Sequence, residues 1–221
     1  MNARPSNFLP GLFRAALAAV DPEGAVRAAL ARPEIARAVR NARRVGVFAV
    51  GKGAAGMFRA AWRAGREGLI VLPRGYAAPR GHGFQLLFSS HPEPDRSSTA
   101  AAVAAVRFFS RFDAGDLLLC LVSGGASSLL CLPRDGVTLA EKRSAVARLV
   151  RTGASIAEVN RLRTSLSAVK GGRLGRETRA RLVETGSTSM VRGFRRSVTA
   201  CMCNYLSDET SIANPSRRSK R

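Results

Sequence analysis

Asp116-Leu-Leu-Leu-Cys-Leu-Val122 runs without a break into Ser123-Gly-Gly-Ala-Ser-Ser128. Seven mostly apolar residues with no polar alternation read as a strand covered on both faces, the pattern of a parallel sheet. Parallel sheets hold their ligands beyond the carboxyl ends of the strands, where the Ser-Gly-Gly segment falls. Gly124 and Gly125 permit positive φ and let a ligand approach the backbone. Ser127 and Ser128 are placed to cap a following helix and to offer hydroxyl donors. A helix start there presents N–H groups and a partial positive charge to an anion. An ordinary Gly/Ser turn between strand and helix has the same composition, and that reading stays open.

Outward from this strand the chain alternates. Val45-Gly-Val-Phe-Ala-Val50, Gly68-Leu-Ile-Val-Leu72 and Gln85-Leu-Leu-Phe-Ser89 are apolar runs of strand length, with helical patterns over about 54–64 and 97–111. Helices are also expected at 8–20, 22–32 and 34–41, where Asp21-Pro22 supplies an N-cap and a proline at the first helical position. Strands separated by helices specify βαβ units, so an α/β fold with a parallel sheet over about 44–130 and helices on both faces is expected.

Downstream, Thr138-x-x-Glu141 and Ser155-x-x-Glu158 are capping boxes, opening one helix that ends at Gly153 and another near Ile156. On the second helix, at about 100° per residue, Asn160, Arg163, Ser167 and Lys170 fall within an arc of about 80°. Val159, Leu162, Leu166 and Val169 occupy the adjacent arc. A solvated face lies opposite the core, whereas polar groups bordering it are placed to line a cleft. Together the two segments point to a site for a phosphate or carboxylate. A solvated helix flank is the alternative.

Gly51-Lys-Gly-Ala-Ala-Gly56 follows a strand and precedes a helix, and it matches the G-x-G-x-x-G pattern of dinucleotide sites. Such sites place a carboxylate at the end of the second strand to bind a ribose hydroxyl. Here that strand ends Leu72-Pro73-Arg74, which disfavours NAD and leaves NADP through Arg74 conceivable. Lys52 within the loop suits a group that stabilises a transferring phosphoryl. His91, followed by proline, reads as a turn residue or a catalytic base.

Five ordered segments resemble the bacterial glycerate 2-kinase family, which also carries older hydroxypyruvate reductase names. They are Val50-Gly-Lys-Gly-Ala-Ala55, Ser90-His-Pro-Glu-Pro-Asp95, Ser123-Gly-Gly-Ala-Ser-Ser-Leu129 with Leu139-Ala-Glu-Lys142, Gly153-Ala-Ser-Ile-Ala-Glu-Val-Asn160, and Arg163 to Leu174. The resemblance implies ATP-dependent phosphorylation of D-glycerate at its 2-hydroxyl, with ATP and Mg²⁺. It implies a Rossmann-like N-terminal domain sharing a cleft with a second domain. Lys52 and Arg163 are its candidate catalytic residues. Gly51, Gly53, Ser123, Gly124, Gly125, Ser127, Asn160 and Lys170 are its candidate substrate- or nucleotide-binding residues. NADP-dependent hydroxypyruvate reduction is the alternative activity, and a non-enzymatic nucleic-acid binder a third class.

The family pattern stops after Arg173-Leu174. Residues 1–175 are therefore expected to form the domain. Residues 176–221, with ten Lys/Arg and four Asp/Glu, are expected to be an irregular basic tail left by truncation or a frameshift. The second domain would be absent and the chain alone catalytically weak or inactive. A regulatory basic tail is the alternative. Cys201-Met-Cys203 is too small to be a metal site by itself, and no metal ligands are assigned.

The net charge of +21 would ordinarily suggest a polyanion partner. The cations are 32 Arg against 4 Lys, dispersed through Ala- and Gly-rich sequence, and aromatic residues make up only 6%. Base-stacking and zinc-finger patterns are missing, so no specific nucleic-acid partner is expected. A hydrophobic fraction of 46% supports a core, and no apolar run approaches the roughly 18 residues of a membrane span. The four cysteines form no disulfide framework, consistent with a reducing, cytoplasmic location.

Overall fold

The computed structural model describes residues 8–19, 21–185 and 197–200. Three helices, α1 (Phe8–Ala19), α2 (Pro22–Leu30) and α3 (Pro33–Asn41), precede the sheet. There follow β1 (Val45–Val50), α4 (Ala54–Trp62), β2 (Glu67–Pro73), β3 (Phe84–Ser89), α5 (Arg96–Ser110) and β4 (Leu117–Val122). The chain continues through α6 (Ala126–Leu129), α7 (Leu139–Arg151), α8 (Ile156–Ser165), a 3₁₀ turn at Leu174–Glu177, β5 (Arg181–Thr185) and β6 (Ser197–Ala200).

The six strands are all parallel, in the order β3-β2-β1-β4-β5-β6. This is the Rossmann-type doubly wound order, whose direction reverses between β1 and β4. The continuous apolar runs of β1 and β4 are buried at every position. Alternate residues serve opposite faces, as the pleat requires. Phe48, Val50, Leu118 and Cys120 pack with Ala101, Ala105 and Phe109 of α5. Val47, Ala49, Leu119 and Leu121 pack with Val26 of α2, Ile35 of α3 and Met57 of α4. Helices therefore cover both faces, as the unalternated strands require.

Beneath β4, Asp116 ties three chain segments together. Its carboxylate, with a side chain 0% exposed, accepts from Arg43 Nε at 3.0 Å and Arg44 Nη2 at 2.6 Å, and from the Asp113 N–H at 2.9 Å. Hydrogen bonds from Arg44 and then Arg43 hold its pKa well below the ordinary 3.8. A carboxylate depressed in the folded state contributes stability that is fully present above its unfolded pKa and is lost as pH falls below it. Asp116→Ala is expected to lower unfolding free energy by about 2 kcal/mol at neutral pH. The arginines can return to solvent, so the loss is smaller than for a fully buried pair. Urea denaturation of both proteins, compared at neutral and acid pH, checks this; a difference that does not shrink in acid would contradict it.

Three local expectations differ from the structure. The helix expected to carry the stripe through Lys170 stops at Ser165. There the chain turns to pair with an earlier segment: Arg134 N donates to Leu166 O and Ala168 N to Leu132 O, and Ser167 bridges Pro133. The Arg173 guanidinium clasps the turn by donating to the carbonyls of Thr164, Ser167 and Lys170. Ser127 and Ser128 do not cap the helix after β4. They lie inside the four-residue α6, whose N-cap is Gly125 at φ 90° without a side-chain cap. The sheet also continues past the expected boundary at residue 175, because Leu182 and Val183 of β5 are buried against the core. The expected irregularity of 186–196 and 201–221, including Cys201-Met-Cys203, lies outside the described residues.

Candidate functional site

The loops after β1 and β4 meet at the point where strand order reverses, the usual position of a ligand crevice in an open α/β sheet. They are tied together across some seventy residues of sequence. Lys52 N–H donates to Gly124 O at 2.8 Å, and Gly53 N–H donates to Ser123 Oγ at 3.0 Å. Gly51 is held at φ 122°, and a Cβ there would lie 2.2 Å from Ser123 Oγ and 2.7 Å from Ser123 O. Only glycine fits this approach. The N–H groups of Gly124 and Gly125 have no protein acceptor among the described residues, so they remain available to an anion.

His91 closes the same corner. A Cβ on Gly125 would sit 2.8 Å from His91 Cδ2 and 3.6 Å from Lys52 Cγ. Burial, and then the Lys52 charge, lower the His91 pKa. Both effects favour the neutral imidazole.

Beside this corner opens a cleft of 970 Å³ walled by the His91–Pro94 loop, α6, α7, Arg163 of α8 and Lys170. Lys170 is only 1% exposed. Its ammonium donates to Ser127 O at 3.0 Å and to Ser127 Oγ. Burial first, then the charges of Lys142 and Arg163, lower its pKa to about 7, while Cys131 acts in the opposite direction. Lys142 is 3% exposed and is the one buried residue of α7. Its Nζ is buried with no hydrogen-bond partner. Burial lowers its pKa, and the nearby Cys131 sulfur partly offsets this. Among the described residues no carboxylate lies between these cations: Glu93, at the rim, is held by Arg143 at 2.6 Å.

The structure thus brings Gly51, Lys52, Gly53, Ser123, Gly124 and Gly125 into one corner, and Ser127, Arg163 and Lys170 into the adjoining cleft wall. Asn160 is half-buried on α8 and does not line the cleft. Ser167 is buried and bonded to Leu132 O and the Val169 and Lys170 N–H groups, so it shapes the turn that presents Lys170. Sequence reasoning assigned no role to Lys142. A signal existed: Leu139, Lys142, Val146 and Leu149 follow the 3.6-residue period of a buried face, with lysine in an apolar slot. A second cavity, of 740 Å³ against β3 and α5, contains none of the expected site residues. Among the described residues no cluster of three or more His, Cys, Asp or Glu is placed to hold a metal, and no helix is long and apolar enough to cross a membrane.

A family model described as a domain of unknown function (DUF4147) matches residues 8–213. The chain belongs to this family. The DUF4147 chain is 39% identical over 169 residues to an Agrobacterium vitis protein provisionally named hydroxypyruvate reductase, covering 75% of this chain and 37% of that protein. It is 33% identical over 166 residues to the D-glycerate 2-kinase of Thermotoga maritima, covering 73% and 38%. The crystal structure of a glycerate kinase from Thermotoga maritima superposes with a TM-score of 0.66 at 31% identity, covering 78% of this chain and 41% of that one. The chain therefore spans well under half the length of the relatives it matches.

Proposed function

We propose that the DUF4147 cleft binds ATP and D-glycerate and transfers the γ-phosphoryl group to the glycerate 2-hydroxyl. The observation that carries this reading is the docking of the Lys52 loop onto the Ser123-Gly124-Gly125 loop at the sheet's reversal point, beside a cleft lined by cations. The kinase names of relatives support it. Because those relatives are longer, the activity is proposed for a protein built around this cleft.

Phosphoryl transfer asks little covalent chemistry of a protein and much positioning and charge stabilisation. Lys52 would neutralise charge growing on the transferred group, and the free N–H groups of Gly124 and Gly125 would hold phosphate or carboxylate oxygens. Arg163 and Lys170 would fix the anion on the opposite wall. Mg²⁺ would supply charge neutralisation for the nucleotide phosphates, though among the described residues no cluster of three or more His, Cys, Asp or Glu is placed to hold it. As the 2-hydroxyl oxygen bonds to the γ-phosphorus and ADP departs, the hydroxyl proton needs an acceptor. His91, whose neutral form is favoured by its burial and by the Lys52 charge, is a group on the wall able to take it.

A reductase using NADP through Arg74 has weaker support. Arg74 Nη1 donates to Asp95 at 2.9 Å and its Nη2 to Ser97 Oγ at 3.0 Å, so its guanidinium is already engaged. The described cysteines, Cys120 and Cys131, are free and buried, which fits a reducing cytoplasmic setting. The test is incubation with ATP, Mg²⁺ and D-glycerate, followed by phosphorus NMR, beside NADPH with hydroxypyruvate. Formation of 2-phosphoglycerate is expected from a longer relative that carries this cleft, with little or none from the 221-residue chain assayed beside it. NADPH oxidation without ATP consumption would replace this reading with the reductase.

A further inference from the structure

Helix α7 turns a lysine inward. Along it Leu139, Val146 and Leu149 are only half-buried and Val150 is 53% exposed, while Lys142 is 3% exposed. The most buried position of the helix is thus given to an ammonium. Burying a charge is costly unless it is paired and hydrogen-bonded, and among the described residues Lys142 Nζ has no oxygen or nitrogen partner, with only the nearby Cys131 sulfur to offset its charge. Lys170, the next cation on the wall, satisfies its ammonium only through neutral oxygens of Ser127. Lys142 and Arg163 both act electrostatically on Lys170, so three cations crowd one volume. Among the described residues the only acidic one of the wall, Glu93, is 76% exposed on its side chain and engaged by Arg143. Crowded cations with no interior carboxylate among the described residues, offset only by the Cys131 sulfur, point to a missing negative charge.

We propose that Lys142, Lys170 and Arg163 form a built subsite for a small oxyanion, a carboxylate or phosphate group, on the inner wall of the cleft. Lys142 is the member that completes it, because the anion gives its ammonium the acceptor that the protein withholds. Charge-assisted hydrogen bonds to such an anion are short and strong in a partly desolvated site. The site itself stands on the geometry above. The identity of its natural ligand rests on the phosphoryl-transfer reading, which offers two sources: the carboxylate of the acceptor substrate or a phosphate of the nucleotide.

The experiment titrates the full chain with inorganic phosphate by calorimetry, then repeats the titration with Lys142→Met and Lys142→Arg. Loss of one charge-assisted contact is expected to weaken phosphate binding about 10- to 100-fold in Lys142→Met, with partial retention in Lys142→Arg. Unchanged affinity in a folded Lys142→Met protein overturns the proposal. A second measurement on the unmodified chain covers a variant that fails to fold. Inorganic phosphate is expected to raise the thermal midpoint of the unmodified chain in a concentration-dependent way. A midpoint that ignores phosphate also overturns it. Competition separates the sources: displacement of phosphate by D-glycerate assigns the subsite to the substrate carboxylate, and displacement by pyrophosphate alone assigns it to the nucleotide. These readouts need no turnover. Phosphate binding by this chain, with no phosphoryl transfer by a longer relative that carries the same cleft, would therefore sink the kinase reading and leave the subsite standing.

Discussion

Lys52→Ala is expected to lower the rate of ATP-dependent phosphorylation of D-glycerate by about 10²- to 10³-fold, the usual effect of deleting one group that stabilises transition-state charge. The lysine lies between two loops whose backbones are already locked together, so removing its side chain leaves their geometry intact. Lys52 N–H still bonds to Gly124 O, because that contact is made by the backbone. The side chain is exposed and carries no packing role, so stability should change little. Ground-state affinity for ATP should fall far less than kcat, since the interaction tightens as charge moves onto the transferred group. Parallel measurement of kcat, of ATP affinity by calorimetry and of the thermal midpoint checks this. A variant with undiminished kcat would remove Lys52 from the chemistry. A variant with equal losses in affinity and kcat/KM at constant kcat would reassign it to ground-state binding.

Lys170→Met is expected to stabilise the ligand-free protein, by about 1–4 kcal/mol, while weakening anion binding. Replacing a buried, poorly compensated charge with an apolar side chain of similar volume is often neutral or stabilising. The pH dependence identifies the cause. Burial lowers the Lys170 pKa from 10.5 to about 7, with Lys142 and Arg163 adding repulsion and Cys131 opposing them. Between those values the unfolded chain holds a proton that the folded chain has released. Unfolding then takes up protons, so stability rises with pH across this window by at most about 1.4 kcal/mol per pH unit from this group. Below about pH 7 both states are protonated and the full cost of burying the charge is felt. The stabilisation by Lys170→Met should accordingly be largest near and below pH 7 and shrink toward pH 10. Denaturant unfolding across that range checks it. A Lys170→Met protein less stable than its parent at pH 7 would mean that the bonds to Ser127 outweigh the desolvation of the charge.

The sheet was legible because its signal is local. Val45–Val50 and Leu117–Val122 are apolar at every position, and only a strand covered on both faces uses such a run. The meeting of Lys52 with Ser123–Gly125 followed from the same pattern, since both segments leave parallel strands at their carboxyl ends. The stripe from Asn160 to Lys170 was half legible. Its period continues smoothly past Ser165, but the helix is ended by partners remote in sequence, Leu132 and Pro133. Periodicity carries no information about them. Lys142 was hidden for the opposite reason. A lysine on a helix rich in arginine reads as surface, and that outweighs the weaker signal of its place in the Leu139, Val146 and Leu149 period. Five further residues of ordered strand, Arg181–Thr185, were obscured by basic neighbours: Leu182 and Val183 supply too short an apolar run to stand out.

The lacing of the Lys52 and Ser123 loops has a mechanical consequence. Gly51 N–H also reaches Val71 O on β2, so the ends of three adjacent strands are fastened to one another before any ligand arrives. This corner is an anvil, already shaped and costing little order to use. The opposite wall is hung differently. Helices α7 and α8 pack mainly on each other, and Gly136 and Gly153, both at positive φ, bracket α7. Closure around a ligand would thus be one-sided, with the lysine-bearing helix descending onto a corner that does not yield.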